Sequence, residues 1–136
     1  TVYRKDRCDS SIGTGKAGGV LIAVDSRLHS DAVVIPEIDP LEAVCVKLQF
    51  NSSSSNVYIY GLYIQYGSSE EVYSAHLASI VKAYSLLQHG DIFLVAGDFN
   101  MPVIKWIANE DGFDFLPVIG DSSSVPANIA RKMTST

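Results

Sequence analysis

Residues 57 to 64 read VYIYGLYI. Apart from the glycine, every position is β-branched, aromatic or leucine, and both alternating faces are apolar, which describes a strand covered on both sides. Such a strand needs a layer over each face, and the rest of the chain must supply both. The run GVLIAVDS from Gly19 is short, with glycines before it and Asp25-Ser26 after it; its length favours a strand over a helix. Beyond a break at Asp39-Pro40, EAVCVKLQF alternates, placing Glu42, Val44, Val46 and Leu48 on one face and Ala43, Cys45 and Lys47 on the other. A fourth apolar run, DIFLVAGD, ends at Asp98.

Between the third and fourth runs lies the best helical pattern. Ser68 and Glu71 fit an S-x-x-E capping box, and Val72, Tyr73, Leu77, Ile80, Val81, Tyr84 and Leu87 recur at helical spacing until Gly90. The residues MPVIKWIANEDGF are expected to hold one irregular helical turn, and the opening residues around YRKDR read as a charged turn. NSSSSN is a loop by composition, with an incidental glycosylation match at Asn51. The expected organisation is one α/β unit over residues 1–119 followed by a poorly structured tail over residues 120–136. At 136 residues and 47% hydrophobic composition there is material for one core.

Charge and cysteine content narrow the function classes. A formal charge of -5 argues against a generic polyanion binder, although residues 1 to 18 carry +2 against -7 for the remainder. A phosphate-facing surface is therefore expected to include the N-terminal segment. Two cysteines, Cys8 and Cys45, make no disulfide framework and read as unpaired thiols. No run approaches the roughly 18 apolar residues of a membrane span, and the first residues are unlike a signal peptide. GTGKAG, from Gly13 to Gly18, fits G-x-G-x-x-G, but a strand follows it where a dinucleotide site requires a helix, so no nucleotide cofactor is expected. His29, His76 and His89 have no partners at metal-ligand spacing and read as structural.

VAGDFNMP, residues 95 to 102, is different. In an α/β protein a strand ending at an acid places that carboxylate on the rim of the sheet, where ligands bind. Asp98 supplies a base or metal ligand, and Asn100 a neutral donor that holds a phosphate oxygen without adding negative charge. The pair suits attack of water on a phosphodiester; an Asp-x-Asn sequence at a strand end is also a common turn.

GDFN after an apolar strand, with YRKDR, GGVLIAV, EAVCVKL and VYIYGLYI upstream, resembles the endonuclease/exonuclease/phosphatase superfamily. The similarity is greatest to the endonuclease domain of arthropod-type non-LTR retrotransposon polyproteins, GDFNMPVIKW with Trp106 being the most specific piece, and it spans Thr1 to about Asp114. The resemblance implies a partial four-layer α/β/β/α sandwich of the DNase I-like type and magnesium-dependent cleavage of DNA. It makes Asp98, Asn100 and Tyr63 the catalytic residues: Asp98 orients or deprotonates water, Asn100 holds the phosphate and the water, and Tyr63 donates to the phosphate unless it is a core aromatic. Arg7 becomes a nucleic-acid backbone contact, or else a solvated turn arginine. Gly18 and Gly19 are structural, and Glu42 orders the sheet end. The family's metal-binding Glu falls before residue 1 and its terminal Asp-His pair after residue 136, so the chain is expected to be the central part of a domain, inactive alone, and intracellular, nuclear as part of the full polyprotein. The alternatives are a small-molecule or lipid phosphodiesterase of the same superfamily and a non-catalytic remnant or interaction module.

Overall fold

The computed structural model describes residues 1–7, 18–50 and 55–101 in full, together with the backbone of residues 104–108 and 115–119. Its centre is a four-stranded sheet made of β3 (His29–Ala32), β4 (Ala43–Gln49), β5 (Asn56–Tyr63) and β6 (Ile92–Asp98), in that spatial order. VYIYGLYI is the inner strand β5, paired antiparallel with β4 and parallel with β6. Parallel neighbours need a crossover, and the helix α1 (Glu70–Tyr84) provides it.

Alternation on β4 and β5 divides the core in two. Val44, Val46, Leu48, Val57 and Ile59 face a two-stranded antiparallel pair, β1 (Val2–Asp6) and β2 (Gly19–Ala23), which adds Tyr3, Val20 and Ile22. Ala43, Cys45, Tyr60 and Leu62 face the other way, onto α1 and the 3₁₀ turn Pro36–Ile38. The described residues thus form a mixed α/β arrangement in which the strand pair covers one face of the central sheet and a helix the other. A last antiparallel pair, β7 (Ile104–Ala108) with β8 (Phe115–Ile119), closes the order of elements.

Tyr60, fully buried, fastens the helix to the sheet. Its hydroxyl lies 2.5 Å from Ser79 Oγ, and Ser79 Oγ is 2.8 Å from the His76 carbonyl. Because the serine hydroxyl donates to the carbonyl, the tyrosine donates to the serine. This polar need explains which face of α1 is inside: His76, Ser79 and Ala83 are buried with Tyr73 and Ile80 against them, while Val81 and Tyr84 of the expected apolar stripe are 60% and 63% exposed. At the far end Asp91 accepts from the Asn56 and Gln88 amides at 2.8 and 3.0 Å, tying the starts of β5 and β6 together.

Four local expectations change. The opening residues form strand β1 and not a turn: Tyr3 and Lys5 point inward, and Tyr3 Oη donates to the Ser30 carbonyl at 2.7 Å, while charged neighbours occupy the solvent side. Ser68 does not cap α1; the N-cap is Ser69, without a side-chain cap hydrogen bond. The helix stops at Tyr84, and turns carry the chain on to Gly90. IKWIA within MPVIKWIANEDGF is strand β7, in keeping with its β-branched and aromatic residues, where a helical turn was expected. GTGKAG, apart from Gly18, the Asn51 loop and the 120–136 tail lie outside the described residues, but the run after GTGKAG is the strand β2, as expected. Cys45 is free and buried, and burial raises its thiol pKa to about 11.

Tyr60→Phe, which leaves Ser79 bonded to His76, is expected to cost about 1 kcal/mol, and Tyr60→Ala roughly 3–5 kcal/mol. Urea unfolding of the two variants checks the ratio.

Candidate functional site

The parallel register of β5 and β6 pairs Tyr63 directly with Asp98. Partners in a ladder share a face, so both side chains rise on the side of the sheet that carries β1 and β2, at the C-terminal ends of their strands. Gly97 makes the close pairing possible. Its φ is +148°, and a Cβ there would sit 1.9 Å from the Leu62 carbonyl oxygen, so the neighbouring strand approaches the backbone closely here.

Beyond Asp98 the chain turns sharply. The Asn100 amide N–H donates to Asp98 Oδ1 at 2.9 Å, an Asx turn, and Asn100 itself lies in the left-handed region with φ 46°. Its side-chain Nδ2 donates to the Ile64 carbonyl at 2.7 Å, so one amide stitches the end of β6 to the end of β5. Asp98 is exposed and Asn100 half-buried. The second carboxylate oxygen of Asp98 and the Asn100 side-chain oxygen have no hydrogen-bond partner among the described residues. The turn and a reactive pair are thus compatible: the geometry uses one side of each group and leaves the other.

Arg7 reaches the same rim from the end of β1. Its Nε and Nη2 lie 2.5 and 3.1 Å from Glu42 Oε1 and Oε2, a two-pronged pair with both side chains about one fifth exposed. The guanidinium carbon sits 5.2 Å from the Tyr63 ring centroid. The hydrogen bonds that Arg7 donates to Glu42 raise its pKa further above its already high value, against the opposing effect of burial. Arg4 pairs with Asp6 and Lys5 with Asp39, so each described Lys and Arg of the N-terminal segment already has a carboxylate partner. Among the described residues two of these partners, Asp39 and Glu42, are distant in sequence.

The sequence did not point to Tyr73 or His76. Tyr73 hydroxyl comes within 3.3 Å of the Asn100 carbonyl; burial raises its pKa first, and the Asp98 charge adds to the effect. The crossover explains its position: a helix joining parallel strands begins beside their C-terminal ends. The first turn of α1 carries Glu70 and Glu71, so its N-terminus is already acidic. His76 is 3% exposed, and its Nδ1 has no hydrogen-bond partner among the described residues. A cavity of about 300 Å³, lined by Ser26, Arg27, Leu28, His29, Gln49 and Phe50, lies at the opposite end of β4 and shares no residue with this rim.

No group of three or more His, Cys, Asp or Glu among the described residues could hold a metal ion, and both Glu42 oxygens are engaged by Arg7. These residues do not by themselves fit magnesium, which asks for a near-octahedral shell of oxygens. No described helix is long and apolar enough to cross a membrane. No protein-family model matches the chain, and no curated protein or solved structure matches it.

Burial lowers the His76 pKa, against an upward pull from Glu42. The unfolded chain therefore takes up this proton first, near pH 6.5. Stability should be complete above that value and fall as pH drops from it toward the lower folded-state value. The carboxylates Asp6, Asp25 and Asp91, shifted downward, act only in the more acid range. Urea midpoints between pH 7.5 and 5.5 should fall in the wild type and stay flatter in His76→Leu.

Proposed function

We propose that the chain is the central part of a DNA-cleaving endonuclease domain of the non-LTR retrotransposon type, within the endonuclease/exonuclease/phosphatase superfamily. The observation that supports this reading is the direct pairing of Tyr63 with Asp98 at the C-terminal ends of two parallel strands, with Asn100 stitched across both. In this reading the strand pair, the central sheet and α1 are three layers of a four-layer α/β/β/α sandwich.

The chemistry follows from the groups at the rim. Asp98 has a carboxylate oxygen in position to orient a water and take its proton as the water oxygen bonds to phosphorus. The Tyr63 hydroxyl donates to a non-bridging phosphate oxygen, where negative charge grows. Asn100 is held so rigidly by Ile64 and Asp98 that its remaining oxygen can position the attacking water at little entropic cost. The P–O bond to the leaving sugar breaks, and the leaving oxygen takes up a proton from solvent water. Arg7 contributes a backbone contact through whatever part of its fork Glu42 leaves available.

Magnesium belongs to this proposal through the resemblance alone. The described residues supply no complete set of ligands for it. A DNA substrate would put the working protein in the nucleus.

In the complete parental domain, Asp98→Ala is expected to lower nicking of supercoiled plasmid by at least about 100-fold while leaving the circular dichroism spectrum unchanged. Wild-type nicking by that variant would overturn the assignment. The 136-residue chain alone should nick no plasmid with magnesium; cleavage that vanishes in Asp98→Ala would show a complete site within it.

A further inference from the structure

Glu42 holds Tyr63 twice. Its main-chain carbonyl accepts the Tyr63 amide N–H at 2.9 Å, and its carboxylate grips the Arg7 guanidinium that lies over the Tyr63 ring. On another side the guanidinium is confined by Gly18, where an added Cβ would lie 3.2 Å from the guanidinium carbon and 3.3 Å from each of its terminal nitrogens. Gly18 is tied in turn, its carbonyl accepting the Arg7 amide at 3.0 Å. The planar cation is thus bounded by an aromatic ring, a glycine and a carboxylate, with little freedom left to move.

We propose that Glu42 is a positioning residue: acting through Arg7, it sets where the Tyr63 hydroxyl stands on the rim beside Asp98. Three observations converge on this. A carboxylate that merely ordered the sheet end would need no two-pronged partner from another sheet. An arginine committed to free phosphate contact would not spend Nε and Nη2 on a carboxylate. A tyrosine serving only as core filling would not lie under a half-buried cation at a strand end. Two torsions place the tyrosine ring, so a ring fixed by stacking has a fixed hydroxyl oxygen. The inference rests on the proposed phosphodiester reading for its chemical purpose, though its geometric part can be tested without any activity.

The geometric arm uses the 136-residue chain with ¹³C-labelled tyrosine. Glu42→Gln and Arg7→Lys should both shift or broaden the Tyr63 ring signal and leave that of buried Tyr60 in place. Should Glu42→Gln fail to fold, Gly18→Ala supplies the same displacement by crowding the guanidinium. A Tyr63 signal unmoved in folded Glu42→Gln, or in Gly18→Ala when that variant is needed, overturns the proposal.

The kinetic arm uses the parental domain. Glu42→Gln should lower kcat for plasmid nicking by roughly 10-fold to 100-fold with little change in KM, as a small misplacement of a reacting group does. In a Tyr63→Phe background the same substitution should change kcat less than about twofold, because the group it positions is gone. Equal losses in both backgrounds would overturn the relay. Wild-type nicking by Asp98→Ala would sink the phosphodiester reading, and the ring signals would then decide the positioning claim on their own.

Discussion

Everything described here depends on one strand being buried on both faces. β5 has Tyr58, Tyr60 and Leu62 packed away on the helix side or close to it and Val57 and Ile59 against the strand pair. Once both faces must be covered, a helix on one side and β1–β2 on the other follow, and the helix can only return to the sheet as a parallel crossover. That crossover brings the end of β6 beside the end of β5. Pairing of Tyr63 with Asp98 is therefore a consequence of how the core is closed.

The same logic explains what could be read in advance and what could not. β4 and β5 were legible because burial leaves a direct mark on composition; β2 and β6 were legible from their apolar runs alone, although Leu21, Ile92 and Leu94 stay exposed. β1 and β3 were not: VYRKD and HSDA are strands through pairing with a neighbour, and their own side chains largely face water. The helix was legible as a helix, but its inner face was misjudged. Val81 and Tyr84 looked like core, whereas Ser79 and His76 look polar and are inside, since a buried Tyr60 hydroxyl needs an acceptor. Hydrophobic periodicity carries no information about such a need.

At the rim the division is similar. Asp98 and Asn100 are two positions apart, and local chemistry made them readable. Arg7 and Glu42 are 35 positions apart, and only the packing of β1–β2 over the central sheet brings them together. Charge counting is blind for the same reason, since Lys5 and Arg7 meet Asp39 and Glu42 only in space.

Asn100 is where fold and site constrain each other most tightly. A non-glycine residue in the left-handed region costs roughly 1–2 kcal/mol, and asparagine lowers that cost through local hydrogen bonding. Here it does so with its amide N–H on Asp98 and its side chain on Ile64. The left-handed turn at Asn100 follows directly on the end of β6, where Asp98 is exposed. Glycine could take the same backbone angle but would lose the Ile64 tie; aspartate could make the turn but would set an acceptor against a carbonyl. Of the residues that tolerate the turn, only asparagine both bends the chain here and donates to the neighbouring strand. The exposed carboxylate beside Tyr63 therefore has its position set by the backbone on both sides, which the role proposed for it on a bound water would require.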